Sequence, residues 1–392
     1  MERIGIYGGT FNPPHIGHLR GAAQAIEALG LDKLILIPDR IAPHKQIPSG
    51  SPSPEQRLEM IRIAASHYEK MEVSDIELRR EGPSYSYITV GQIHDLHPDA
   101  KLYLLMGTDM FTSFLTWKNP EDIMKYAALA VMSRGERGET AAIGAQKKTI
   151  EAMGYEAVVI ENKVTAISST QLRRLLAFRC AGDLLPEGVL DYIRENRLYD
   201  TRAPWKQLPM AELEKVVISL LHPNRVAHVL GCRDTAVALA KRWGATETDA
   251  ARAGILHDIT KAIDGPLQLT LCATYGKILS EFSRKYPKTL HALTGSLVAE
   301  RIFGENEEVV SAIEWHTTGK ADMTLLQKII YVADYMEPNR KFPGVEKLRE
   351  LAFTDMDAAL KLGLEMTLEH LKRQGAEVSP ESREALAWLN NR

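Results

Sequence analysis

At 392 residues the chain exceeds one ordinary domain, so two are expected. A hydrophobic share of 45% beside 25% charged residues is that of a soluble globular protein, and a net charge of −3 argues against broad electrostatic binding to nucleic acid or an anionic membrane. The three cysteines (Cys180, Cys232, Cys272) frame no disulfide or zinc scaffold, no apolar run approaches the roughly 18 residues of a membrane span, and the first apolar stretch is too short for a signal peptide, so a cytoplasmic protein is expected.

In chain order, RIGIYG reads as the first strand, and GGTFNPPHIGHL at 8–19 as a turn into a helix whose Leu19, Ala22, Ala23 and Ile26 share one apolar face. KLILIP, MEVSDIEL, KLYLLMG, ALAVMS and EAVVIE supply further strands. Between them, Ser53-Pro54-Glu55-Gln56 has the form of a capping box and Asn119-Pro120 opens another helix. Near-continuous apolar strands alternating with helices predict an α/β domain with a Rossmann-like, doubly wound parallel sheet covered on both faces. Near residue 200 the pattern changes. YDTRAPWKQLP has two prolines, charges and no periodicity, and 201–209 reads as a linker. Beyond it only helices are predicted: Leu213, Val216, Val217, Leu220 and Leu221 form one stripe, and further helices are expected at about 225–242, 247–258, 287–303, 306–316, 324–336 and 354–373. The reading is an α/β domain over 1–200 and an all-α domain over 210–392.

The first turn is built for an anion. Gly8 and Gly9 let backbone N–H groups come close to a ligand, and the helix beginning near His15 points its positive end at the same place. Neither G-x-G-x-x-G nor G-x-x-x-x-G-K-[ST] is present. Instead His15 and His18 put two imidazoles on one side of the helix, with Gly17 leaving room between them. Such a pair can hydrogen-bond a triphosphate as its bonds rearrange; the alternative is two capping or core histidines. The stretch resembles the signature of the HxGH nucleotidyltransferases, which join a nucleoside triphosphate to a phosphate-bearing acceptor and release pyrophosphate. Within that superfamily, residues 1–200 resemble bacterial nicotinate-nucleotide adenylyltransferase through IPDRIAPHK with His44-Lys45, EGPSYSYITV with Ser86 where threonine is usual, LLMGTDMFTSFLTW with Gly107, Asp109 and Trp117, and ISSTQLRR. The resemblance implies that His15, His18, Lys45 and Arg173, with Mg²⁺, hold the phosphates of ATP while nicotinate mononucleotide attacks. It also implies a nucleotide site of Gly8, Gly9, Thr10, Phe11, Ser86, Gly107, Asp109, Trp117, Ser168, Ser169 and Thr170. Read by chemistry alone, Ser168 and Gln171 form a capping box that crowds hydroxyls at a helix N-terminus within reach of Arg173. Lys45 could meet a phosphate or be solvated, Trp117 could stack on a pyridine ring or belong to the core, and Asp109 ends a strand where parallel sheets bind ligands.

The second half carries His228, His257, Asp258, His291, His316 and Asp334 inside or at the ends of apolar helical segments. A buried unpaired aspartate is costly, and metal coordination would relieve both Asp258 and Asp334; imidazole with carboxylate suits iron, manganese or zinc. The alternative is a set of independently satisfied polar residues. The adjacent His257-Asp258 and the order H…HD…H…H…D resemble the HD-domain phosphohydrolases, and among them the subgroup that splits diadenosine tetraphosphate symmetrically into two ADP. The resemblance implies two transition-metal ions, iron or manganese. One is held by His228, His257, Asp258 and Asp334, the other by His291 and His316 with Asp258 bridging; Lys261 and Arg340 are candidate phosphate contacts. The expected partners are ATP, nicotinate mononucleotide and diadenosine tetraphosphate, without nucleic acid or membrane, and with self-association left open. The rivals are another HxGH transferase in the first half and a nucleotide-binding regulatory module with structural metals in the second.

Overall fold

The computed structural model describes residues 1–43, 46–133, 138–161 and 167–391. They form two compact units, Met1–Arg202 and Ala203–Arg392.

The first unit runs β1 (Arg3–Gly9), α1 (Ile16–Leu29), β2 (Lys33–Pro38), α2 (Pro54–Ala65), β3 (Met71–Val73), α3 (Ser86–Leu96), β4 (Lys101–Gly107), α4 (Thr108–Thr112), α5 (Pro120–Tyr126), β5 (Ala127–Ser133), α6 (Glu139–Ala152), β6 (Ala157–Glu161), α7 (Ser169–Ala177) and α8 (Val189–Glu195). The six strands form one parallel sheet in the order β3-β2-β1-β4-β5-β6, with Ile4 of β1 opposite Lys33 and Leu102 of its two neighbours. The order reverses between β1 and β4, so the crevice at their C-terminal ends is the natural ligand position of such a sheet. The apolar runs are buried: every residue of β5 is, and all of β2 beyond its first. Ser53 and Gln56 close the predicted capping box on α2, each donating its backbone N–H to the other's side chain.

One predicted strand is much shorter than its sequence run. MEVSDIEL pairs only over Met71–Val73. The Ser74 N–H still reaches Leu36 O, but Leu78 and Arg79 then donate back to Asp75 O and turn the chain off the sheet. Half-buried Ile76 packs against the core and Glu77 is buried, so both are covered without being strand.

The second unit is helical: α9 (Met210–Leu220), α10 (Pro223–Trp243), α11 (Glu247–Leu256), α12 (Gly265–Thr274), α13 (Glu281–Lys285), α14 (Leu290–Val298), α15 (Glu307–Trp315), α16 (Leu325–Met336), α17 (Val345–Thr354), α18 (Met356–Arg373) and α19 (Pro380–Asn390). The stripe on α9 buries Leu213, Val217 and Leu220. The helix expected over 287–303 is three pieces: a 3-10 turn at Pro287–Thr289, α14, and a π turn at Ala299–Phe303. The segment read as a linker is anchored at its far end. Trp205 is buried and stacks on Phe303 with ring centroids 5.8 Å apart, and the Gln207 N–H donates to Phe303 O at 2.7 Å. No helix among the described residues is long and apolar enough to cross a membrane.

Candidate nucleotide cavity and candidate metal centre

At the C-terminal ends of β1 and β4 lies a cavity of about 680 Å³. Gly8, Gly9, Thr10, Phe11, His15, His18, Ser86, Gly107, Asp109 and Trp117 all line it. A Cβ added to Gly8 would meet nothing within 4 Å, so the bare backbone there faces open space. Phe11 takes a left-handed φ of 45°, uncommon for a bulky side chain, and sets its ring edge-on to Tyr7 and His18 at 5.7 and 5.2 Å. His15 is the N-cap of α1, and its backbone N–H donates to His18 Nδ1 at 3.2 Å while the two rings stack 3.6 Å apart. Because Nδ1 accepts, the ring proton of neutral His18 sits on Nε2.

The turn is fixed from below by charge. Arg57, wholly buried, donates through Nη1 to Thr10 O at 2.7 Å and to Asp39 Oδ1 at 2.9 Å, and through Nη2 to Asp39 O at 2.7 Å. Asp39 Oδ2 in turn accepts from the Thr10 hydroxyl at 2.7 Å. A second anchor is Asn12, whose Oδ1 accepts from the Tyr199 hydroxyl and whose carbonyl accepts from Arg173 Nη1, both at 2.8 Å. Burial pushes the Tyr199 hydroxyl far above its usual range and keeps it a donor. Ser168 caps α7 by accepting from the Gln171 N–H at 3.2 Å. Ser168, Ser169, Thr170 and Arg173 stand outside the cavity lining; Arg173 joins α7 to the signature turn and also holds Thr170 Oγ1 at 3.1 Å. His44 and Lys45 lie outside the described residues. Glu77 and Glu139 also line the cavity; burial pushes the Glu77 carboxyl up, against hydrogen bonds from Thr89 and Ser84 and the charge of Arg80.

In the second unit, α10, the α11 end, α14, the α15 end and α16 bring His228, His257-Asp258, His291, His316 and Asp334 together. His257, His291 and His316 present Nδ1 to the carbonyls of Gly254, Lys288 and Ile313 at 2.8, 2.9 and 2.7 Å. A carbonyl only accepts, so each ring keeps its proton on Nδ1 and turns an Nε2 lone pair inward. Burial, the leading cause, drives the pKa of His257 and His291 well below the usual histidine range and that of His316 to about 4, so these rings are neutral at pH 7. The Nε2 atoms of His228 and His257 lie 3.3 Å apart, with Asp334 Oδ1 at 3.1 Å from the first and 3.8 Å from the second. Asp258 divides its carboxylate: Oδ2 lies 3.6 and 3.5 Å from His228 and His257, Oδ1 3.5 and 3.8 Å from His291 and His316. Lone pairs and carboxylate oxygens converging in this way fit cations, and the division of Asp258 fits two of them. Lys261 Nζ reaches His291 Nε2 at 2.8 Å, Arg340 Nη2 reaches Asp334 Oδ1 at 2.6 Å, and Arg225 pairs with Asp258.

Two family models match: Cytidylyltransferase-like over residues 6–175 and HD domain over 225–339. A protein of Bacillus licheniformis named "Probable nicotinate-nucleotide adenylyltransferase" is 37% identical over 202 residues, covering 51% of this chain and all of that one. One of the same name from Shewanella baltica is 38% identical over 217 residues, covering 50% and 99%. Through its first half the chain belongs to the nicotinate-nucleotide adenylyltransferase family. The second half is a helical HD domain. A crystal structure of a predicted HD superfamily hydrolase involved in NAD metabolism from Clostridium acetobutylicum is 34% identical, covers 47% of this chain and 98% of that one, and has a TM-score of 0.46.

Around the adenylyltransferase signature the structure adds residues that sequence reading passed over: Asn12, Asp39, Arg57 and Tyr199. In the HD domain it adds Arg225, Thr317, whose hydroxyl lies 3.0 and 3.2 Å from the Nε2 atoms of His291 and His316, and Glu337. Asn12 sits inside the quoted signature and Asp39 inside the quoted IPDRIAPHK, so both were open to view; that Asn12 meets Arg173 and Tyr199, and Asp39 meets Arg57, was not.

Proposed function

We propose that the chain carries two activities. The first unit transfers AMP from ATP to nicotinate mononucleotide, giving nicotinate adenine dinucleotide and pyrophosphate. The acceptor's 5′-phosphate oxygen bonds to the α-phosphorus of ATP, and the bond from that phosphorus to the α,β-bridging oxygen breaks in line. No protein nucleophile or base is needed, because the attacking phosphate is already ionised. The observation that carries this reading is the stacked His15–His18 pair on a bare-backbone turn lining the cavity at the sheet's switch point. Family membership supports the choice of acceptor. Mg²⁺ entering with ATP supplies charge neutralisation. Trp117 offers a ring face to the pyridine, and Lys45 and Arg173 remain the proposed further phosphate cations.

The second unit, on this reading, hydrolyses diadenosine tetraphosphate symmetrically to two ADP. His228, His257, Asp258 and Asp334 would hold one transition-metal ion, iron or manganese, and His291, His316 and Asp258 a second. When bound, such ions supply Lewis acidity and an acidified water. The chain's own part is to hold the Nε2 lone pairs inward, to keep the three buried rings neutral, and to offer Lys261, Arg340 and Arg225 to polyphosphate oxygens. The division of Asp258 between two imidazole pairs carries this reading. The purified full chain, given ATP with nicotinate mononucleotide and separately diadenosine tetraphosphate, with products separated by chromatography, tests both. Pyridine dinucleotide without ADP release would leave the second unit as a regulatory module. Adenylylation of pantetheine phosphate instead of nicotinate mononucleotide would overturn the first reading.

A further inference from the structure

Of the four histidines that turn Nε2 toward the metal centre, His257, His291 and His316 give their Nδ1–H to a carbonyl three residues back in their own helix. His228 does not. Its Nδ1 faces Glu337 Oε1 at 3.1 Å, a carboxylate 109 residues away and only 1% exposed. From the geometry we infer that Glu337 is a positioning residue that makes His228 the strongest imidazole donor of the cluster, and that the ion held by His228, His257, Asp258 and Asp334 is therefore the tighter of the two. This rests on the two-metal reading above.

Glu337 is held in place at both of its oxygens. Oε2 accepts from the Asn339 N–H at 2.7 Å and from Asn339 Nδ2 at 2.8 Å, which leaves Oε1 for His228. The facing turn of α10 is cut away for it: a Cβ on Gly231 would lie 2.5 Å from Glu337 Oε2. Glu337 follows Asp334 by three residues at the end of α16, so one helix end delivers both a metal-facing carboxylate and the carboxylate behind the imidazole beside it. A ring that donates to an anion holds more electron density at its far nitrogen than one that donates to a neutral carbonyl, and its orientation is fixed as well. A buried carboxylate is costly to keep, and here its three hydrogen-bond contacts come from one imidazole and one asparagine; its placement makes sense as a device acting on His228.

The test is Mn²⁺ binding to the full chain, titrated calorimetrically after chelator treatment, in wild type, Glu337→Gln and Gly231→Ala. Glu337→Gln keeps an acceptor oxygen but removes the charge; Gly231→Ala keeps the charge but displaces it. Wild type should show two unequal sites. Each variant should weaken the tighter site, Glu337→Gln by about 10- to 100-fold, and leave the weaker one within about twofold. Unchanged Mn²⁺ affinities, or equal weakening of both sites, would overturn the role given to Glu337. Failure of wild type to bind Mn²⁺ would instead remove the metal-centre reading, and this inference with it. If Glu337→Gln does not fold, Gly231→Ala decides by the same criterion.

Discussion

His18 uses its two ring nitrogens differently. Nδ1 takes the His15 backbone N–H at 3.2 Å and so substitutes for an oxygen cap on α1, while Nε2 carries the ring proton, the donor proposed for phosphate. Replacing it by alanine removes both. The cap accounts for only about 1 kcal/mol, so the fold should survive, whereas adenylyl transfer should drop by at least ~10²-fold, the scale for one lost donor to developing charge. A steady-state assay of pyridine dinucleotide formation checks this, with diadenosine tetraphosphate hydrolysis as the unaffected control; near-wild-type synthesis would reject the phosphate role. Arg57 behaves in the opposite way. It is buried beneath the turn, and Arg57→Met would strand Asp39 without its guanidinium, a loss of about 3–5 kcal/mol. Urea unfolding should show that loss, with tetraphosphate hydrolysis little changed. The two residues also differ in how openly the sequence declared them. His15 and His18 sit in one four-residue motif whose chemistry is local. Arg57 meets Asp39 across 18 residues, and Tyr199 meets Asn12 across 187, and no spacing rule reaches that far.

Among the elements, those that bear on the candidate metal centre do so with particular residues of helices or with their ends. His257 is the C-cap of α11 and His316 that of α15, positions at which a side chain can leave the helical face and turn inward. Asp258→Ala removes the carboxylate shared by both imidazole pairs, so it should abolish bound metal and hydrolysis together. His291→Ala should cost chiefly one ion. Elemental analysis beside the hydrolysis assay distinguishes them, and full metal occupancy in both variants would reject the ligand set. Acid should act on the chelated protein through the same rings. The folded His316 titrates near 4 against an ordinary value of 6.5, and His257 and His291 are shifted the same way. Between those values the unfolded chain binds more protons, so stability is full above about 6.5 and falls as pH drops toward 4. Thermal melts from pH 7.5 to 4.5 should show a declining midpoint; a flat profile would mean that these rings are not buried neutral. Helix periodicity exposed α9, α10, α15 and α16 in the sequence. It hid α12, because Gly265-Pro266 reads as a turn and Leu267, Leu269 and Leu271 alternate like a strand, although the buried set is Leu267, Gln268, Leu271 and Cys272. MEVSDIEL failed the other way: past Val73 the chain leaves the sheet in a turn around Asp75, and Ile76 and Glu77 are covered by side-chain packing instead of strand pairing.

For the whole molecule, the boundary falls between Arg202 and Ala203, a few residues before the point where α9 begins. Each unit has its own buried set, the sheet with its helices in one and the helices around His257 in the other. The composition of 201–209 announced a break in periodicity but not which unit owns it. Trp205 answers that: its ring lies parallel to Phe303, the Gln207 N–H donates to Phe303 O, and Arg252 Nη1 donates to Leu208 O at 2.8 Å. Residues 203–208 are thus part of the HD domain's packing. Expressed separately, 1–202 and 203–392 should each fold and keep their own reaction. A fragment beginning at 209 should fold less stably than 203–392 by roughly 3 kcal/mol, the scale for losing a buried tryptophan ring. Guanidinium unfolding of the two C-terminal fragments measures the difference. Equal stability would mean that the stacking on Phe303 contributes nothing, and two insoluble halves would mean that the units depend on each other to fold.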